Sequence, residues 1–145
     1  MMRTTRREFA VLGTTALVAR PASAQNNAAP FITRVIPRTE ERIPAVGLDT
    51  AYVFDRENEQ TRTSATEVVR ALIESGGQLI DTASTYGDAE SVLGDVIAHE
   101  GLREKLFIAT KLEAPDAAEL KRSLSRLKTA KLDLLLPRNT GQAGA

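Results

Sequence analysis

Cysteine is absent from all 145 residues, which excludes disulfides, thiolate metal sites and cysteine nucleophiles together. Histidine is almost absent: His99 stands alone, without the companions a metal site needs, so no resident metal is expected. An excess of either charge is missing too, since Lys plus Arg and Asp plus Glu are 19 each. With no basic surface to attract phosphates, nucleic acid is not an expected partner. No apolar run is long enough to cross a bilayer; the longest, Phe9 to Ala19, falls well short of the ~20 residues a spanning helix needs.

That short run sits inside a different pattern. Arg3, Arg6 and Arg7 precede it and Ala22-Ser23-Ala24 follows, which is the layout of a cleavable export signal over residues 1–24. The order Thr5-Arg6-Arg7-Glu8-Phe9 resembles a twin-arginine signal, and Arg20 ahead of the cleavage site suits that class. An exported, periplasmic protein starting at Gln25 is therefore expected, with no membrane attachment once the signal is gone. Removing the signal takes away four Arg and one Glu, which leaves the remainder mildly acidic.

Polar and small residues at 25–30 read as a disordered leader. Phe31 to Ile36 and Arg42 to Val46 alternate apolar and polar residues around Pro37 to Glu40, a β-hairpin pattern, and Val46 to Tyr52 reads as a first core strand. Asp55 to Thr63 is charged and reads as a loop. Ser64 with Glu67 three residues on forms a capping box for a helix carrying Val68, Val69, Leu72 and Ile73 and ending at Gly76 and Gly77. Further along come a strand at Gln78 to Ile80, a helix at Ala89 to Ala98, a strand at Leu106 to Thr110, a helix from Ala117 to Lys128 capped by Asp116, and a strand at Leu132 to Leu136. His99 falls at the end of the second helix, before Gly101, where an imidazolium favours the helix dipole; it is not read as a site residue. Lys121, Arg122, Arg126, Lys128 and Lys131 are expected on the solvated face of the third helix, opposite Leu120, Leu124 and Leu127.

Short apolar strands alternating with helices of ten or more residues predict parallel βαβ units. A doubly wound dinucleotide fold should carry GxGxxG after its first strand, and no such segment exists. The expected fold is therefore α/β: the first half of a (β/α)8 barrel, with about four strands and three helices after a hairpin, over residues 31–139. In barrels chemistry gathers at the C-terminal strand ends, and Asp81, Lys111 and Arg138 each stand just past an apolar run. Residues 139–145 hold no sizeable apolar side chain, so 140–145 reads as a disordered tail, of the kind a truncated or out-of-frame end would leave.

Singly, these residues have ordinary readings: a turn aspartate, a packed tyrosine ring, a lysine reaching solvent. Together they make a proton-transfer site. Hydride reduction of a carbonyl puts negative charge on oxygen and needs a proton donor beside a cation. Tyr86 can donate. A free phenol, with a pKa of about 10, is a poor acid near neutrality, and a neighbouring ammonium favours its phenolate. Lys111 can supply that field, with Asp81 as the partner a partly buried lysine requires.

The order Asp81-Thr82-Ala83, Tyr86-Gly87, Ala89-Glu90, Leu93-Gly94 and Ala109-Thr110-Lys111 resembles the aldo-keto reductases, over about Ile32 to Asn139. The resemblance implies an NADPH-dependent enzyme reducing aldehydes or ketones, with Tyr86 as general acid, Lys111 as its modulator and Asp81 as the lysine's partner. Arg138 occupies the place of the family's substrate-orienting histidine, and Asp49 and Ala51 replace a glycine and a pocket-lining aromatic residue around Thr50. It also implies that the cofactor's phosphates are held mostly by loops after later strands. The alternative is a non-catalytic half-barrel, a fragment or an assembly module that self-associates through exposed sheet edges.

Overall fold

The computed structural model of the chain describes residues 32–114 and 116–138; the expected export signal, leader and tail lie outside these residues. Strands β1 (Thr33–Val35) and β2 (Arg42–Pro44) form the expected antiparallel hairpin, with Arg34 opposite Ile43. The Arg42 guanidinium donates across it to Thr33 Oγ1.

Strand β3 is only Leu48–Asp49, shorter than the apolar pattern predicts. Asp49 is the reason: its carboxylate accepts from the Ala51 amide at 2.8 Å, an Asx turn that lifts the chain out of the sheet. Helix α1 spans Glu59–Glu74 and starts well before the expected Ser64. Asn58 is the actual cap, accepting from Thr61 N at 2.8 Å. The intervening polar residues are held in the helix by Arg62, which pairs with Glu57 and with Asp95 of the next helix, while the Thr63 and Thr66 hydroxyls donate back to the carbonyls of Glu59 and Arg62. What reads in the sequence as a charged loop is thus partly a solvent-facing helical turn.

The remaining units follow the expected order: β4 (Leu79–Asp81), α2 (Ala89–Glu100), β5 (Phe107–Leu112), α3 (Ala117–Arg126) and β6 (Leu134–Pro137). Gly101, in the left-handed region at φ 64°, ends α2. Asp116 caps α3 by accepting from Glu119 N at 2.7 Å. Strand β6 starts later than expected because the Asp133 carboxylate takes the Ile108 amide at 2.8 Å and also binds Arg103.

The larger sheet is parallel, in the order β3-β4-β5-β6. Ile80, Val69, Val92, Leu93, Ile108 and Leu127 fill the layer between sheet and helices, the apolar burial that drives the fold. Leu127 is completely buried, whereas Leu120 and Leu124 are only half-buried. The basic residues around α3 divide: Lys121 and Arg122 are exposed, whereas Arg126 reaches Ser84 O and Glu90, Lys128 pairs with Asp95 and Lys131 with Glu104.

Register and strand alternation place Asp49, Asp81, Ala109, Lys111, Leu134 and Leu136 on one face of the sheet, opposite the helices. That face corresponds to the interior of a (β/α)8 barrel, and the described residues hold four of its parallel strands. Leu134, Leu135 and Leu136 are all exposed, and β3 and β6 are edge strands among the described residues.

Candidate active site

Three consecutive strand ends build the site. Asp49 is in register with Asp81, Asp81 with Ala109, and Lys111 with Leu136, so the carboxylate of Asp81 and the ammonium of Lys111 project from neighbouring strands on the same face. They meet in an ion pair, and Lys111 Nζ also lies 3.4 Å from Thr82 O. Both side chains are about three-quarters buried. Burial alone would lower the lysine's pKa; the hydrogen bond and charge of Asp81, with the Tyr86 phenol adding to them, outweigh it and hold the ammonium above its ordinary range. The raised lysine therefore favours the folded state through neutral pH, and that contribution is lost as alkaline pH passes through the raised value.

Tyr86 stands over this pair. Its ring centroid is 5.3 Å from Lys111 Nζ and 5.6 Å from the Arg138 guanidinium carbon, so two cations flank one ring. The loop between β4 and α2 brings it there. Gly87, at φ 57°, permits the turn after the tyrosine, and a Cβ at this position would stand 2.5 Å from Asp55 O. The Asp88 amide then donates to Asp55 O at 3.1 Å while the Asp88 carboxylate accepts from Glu57 N at 3.0 Å. The loops after β3 and β4 are stitched together beside Tyr86.

A cleft of about 420 Å³ opens there, lined by Asp49, Ala51, Tyr52, Asp55, Tyr86 and Arg138 among others. Tyr52 is almost fully exposed and sits at φ 62°, an uncommon backbone for an aromatic residue. Arg138 is loosely held, its Nε 3.7 Å from Glu113. A separate groove of about 520 Å³ runs between α1 and α2, lined by Arg62, Asp95, His99 and Lys128. It lies on the helix side of the sheet, so it is no part of the cluster at the strand ends; His99 there is exposed.

All four residues singled out from the sequence, Asp81, Tyr86, Lys111 and Arg138, come together at one end of the sheet. Sequence reasoning missed the polar layer on the far side. Glu90, about 1% exposed, accepts from Thr110 Oγ1 at 2.8 Å. Glu119, also buried, accepts from Ser84 Oγ at 2.6 Å and from the amides of Glu113 and Ala114. Its signal was in the sequence: Asp116 followed by Glu119 has capping-box spacing, with the glutamate turned to the preceding loop instead of to its own cap.

The Ser84 hydroxyl, followed by the backbone amides of Ala114 and Glu113, outweighs desolvation and holds the Glu119 carboxyl below the ordinary glutamate value. A depressed carboxylate stabilises the fold above its unfolded pKa and loses that contribution as pH falls through the folded one. We therefore expect the urea midpoint to fall on acidification below about pH 4.5, the ordinary glutamate value, and Glu119→Gln to flatten that part of the profile.

The family profile "Aldo/keto reductase family" matches residues 45–137. An aldo-keto reductase of Mycobacterium tuberculosis is 39% identical over 116 residues, covering 75% of this chain and 37% of the relative. Methylglyoxal reductase YeaE of Escherichia coli is 41% identical over 104 residues, 65% of this chain and 34% of that protein. Among solved structures, an aldo/keto reductase from Klebsiella pneumoniae, in complex with NADP and acetate, superposes with a TM-score of 0.57 at 35% identity, covering 67% of this chain and 36% of that one. An aldo-keto reductase from Pseudomonas aeruginosa gives a TM-score of 0.67 at 25% identity, over 81% and 51%. With parallel strands, a strand-end cluster and these matches in agreement, the chain belongs to the aldo/keto reductase family. It spans between about a third and a half of the length of these relatives.

Proposed function

We propose that this site serves the NADPH-dependent reduction of aldehydes or ketones, with Tyr86 as general acid. The observation that carries the reading is the Asp81 and Lys111 ion pair lying against the Tyr86 ring at the mouth of a cleft. The cleft's charged lining, Asp49, Asp55 and Arg138, fits the reacting end of the cofactor and a carbonyl, and is unsuited to a pyrophosphate, which the two carboxylates would repel. Bound NADPH would supply the hydride. Tyr86 Oη would give its proton to the developing alkoxide, and the Lys111 charge would stabilise the phenolate left behind. Asp81 keeps Lys111 charged and pointed at the ring. Arg138 can donate to a carbonyl oxygen, but it is always charged and longer than the imidazole that the family places there, so it acts as an electrostatic clamp and never as a neutral donor.

The test joins residues 25–138 of this chain to the later strands of the Mycobacterium tuberculosis relative and follows NADPH oxidation with a panel of aldehydes. Turnover is expected, and Tyr86→Phe should reduce kcat by about 10²–10⁴-fold, the usual contribution of a general acid. A chimera indifferent to that substitution would overturn the reading.

Export by the twin-arginine route is part of the same proposal, supported by the Arg6-Arg7 pair and by Ala22-Ser23-Ala24. A route that carries folded proteins suits an enzyme loaded with a nicotinamide cofactor in the cytoplasm. Replacing Arg6 and Arg7 by Lys should retain a reporter fusion inside the cell; undiminished export would refute it.

A second reading, a non-catalytic half-barrel that assembles through its edges, is favoured by one observation: the exposed leucines of β6 on an edge strand.

A further inference from the structure

Lys111 is gripped from behind by a polar network that the proposed chemistry does not use. Ser84, midway between Asp81 and Tyr86, is its centre. The Ser84 amide donates to the Lys111 carbonyl at 2.9 Å, its hydroxyl donates to Glu119 Oε1 at 2.6 Å, and its carbonyl accepts from Arg126 Nη1 at 3.3 Å. The same Arg126 nitrogen lies 3.8 Å from Glu90 Oε2, and Glu90 holds Thr110, the residue before Lys111. Glu119 in turn gathers the amides of Glu113 and Ala114, just beyond β5. The segment from Thr110 to Ala114 is thus fixed on both sides of Lys111, and the loop that holds it is the one carrying Tyr86.

From this geometry we infer that Ser84, acting through Glu119, is the positioning residue that sets Lys111 against Tyr86. Neither residue touches the reacting atoms. The Ser84 hydroxyl joins the Tyr86 loop to the buried carboxylate of α3, beside the Arg126 bond to the Ser84 carbonyl; without it the loop keeps its backbone bonds from Thr82 and Ser84 to β5 but loses the group that ties it to the chain just beyond Lys111. Hydrogen bonds of this charge-assisted kind are the strong ones, and a carboxylate accepting several donors in a buried site is well suited to hold two loops in one arrangement. The inference rests on the reading of Tyr86 and Lys111 given above.

The test uses the full 145-residue chain labelled with 15N at lysine side chains, of which there are five, Lys105, Lys111, Lys121, Lys128 and Lys131. In the wild type the Lys111 ammonium should give a resolved signal that titrates above the ordinary lysine value. Ser84→Ala should move that signal into the envelope of the exposed lysines and lower its titration midpoint, with the far-UV spectrum and the other four signals unchanged. Ser84→Thr, which restores the hydroxyl, should restore the signal. A Lys111 signal unmoved in Ser84→Ala overturns the inference, even if the Glu113 and Ala114 amides exchange faster, because the clamp would then order only its own loop. Should Ser84→Ala fail to fold, Ser84→Cys keeps the volume with only a weak donor and is read the same way. The catalytic reading stands or falls separately, on the response of the chimera to Tyr86→Phe.

Discussion

Purified as the 145-residue chain, the protein is expected to oxidise no NADPH above background with any aldehyde, although Asp81, Tyr86 and Lys111 are assembled. Proton donation contributes only part of the acceleration. Holding the nicotinamide at near-attack distance supplies on the order of 7–11 kcal/mol, roughly 10⁵–10⁸-fold, and the phosphates that anchor it find no suitable lining among the described residues of the cleft, where Asp49 and Asp55 face Arg138. Strands β3 and β6 are both edges among the described residues, and Leu134 and Leu136 expose the sheet's inner face. Sedimentation should accordingly show the isolated chain self-associated, since an apolar, unpaired edge is a template for pairing. Turnover by the monomeric chain that vanishes in Tyr86→Phe would refute this and show that the early strands alone hold the cofactor.

Which parts of the molecule could be read from the sequence follows from which forces are local. The alternation of Leu106 to Thr110 with the Leu120, Leu124 and Leu127 stripe gave the βαβ order because burial periodicity is local, and the cap at Asp116 was equally visible. The early boundaries were less visible. Ser64 with Glu67 has capping spacing, yet Asn58 caps the helix, because Arg62 gains a tertiary partner in Asp95 that no window on the sequence contains. Strand β3 ends early for a local reason that was legible but unweighed, the Asx turn of Asp49. At the site, the meeting of Asp81 and Lys111 was foreseeable from strand ends, whereas the grip of Glu119 on Ser84 spans 35 residues and depends on how α3 docks. Long-range polar contacts carry no periodicity, so they become visible only with the fold in hand.

The same docking makes Gly94 the position least able to accept a side chain. It lies within α2, where Gly→Ala ordinarily favours a helix by up to about 1 kcal/mol. Here a Cβ would stand 2.1 Å from the Arg126 carbonyl oxygen and 2.8 Å from the Leu127 carbonyl carbon, both backbone of the turn that ends α3. Backbone cannot swing aside as a side chain can, so α3 must move away from α2, loosening the fully buried Leu127 and displacing the helix that bears Glu119. Overpacking a core costs about 1–3 kcal/mol with side-chain and backbone shifts together; with contacts this short to backbone, Gly94→Ala should fall at the upper end, about 3 kcal/mol net of its propensity gain, a large share of the 5–15 kcal/mol typical of a domain. Gly101→Ala is the control: it has open space around it but a positive φ, and should cost only about 1–2 kcal/mol, the penalty of a Cβ in the left-handed region. The measurement is the urea midpoint of each variant at constant m-value. A Gly94→Ala midpoint at or above wild type would mean that α2 and α3 do not approach this closely in solution, and with that would go the placement of Glu119 behind Lys111.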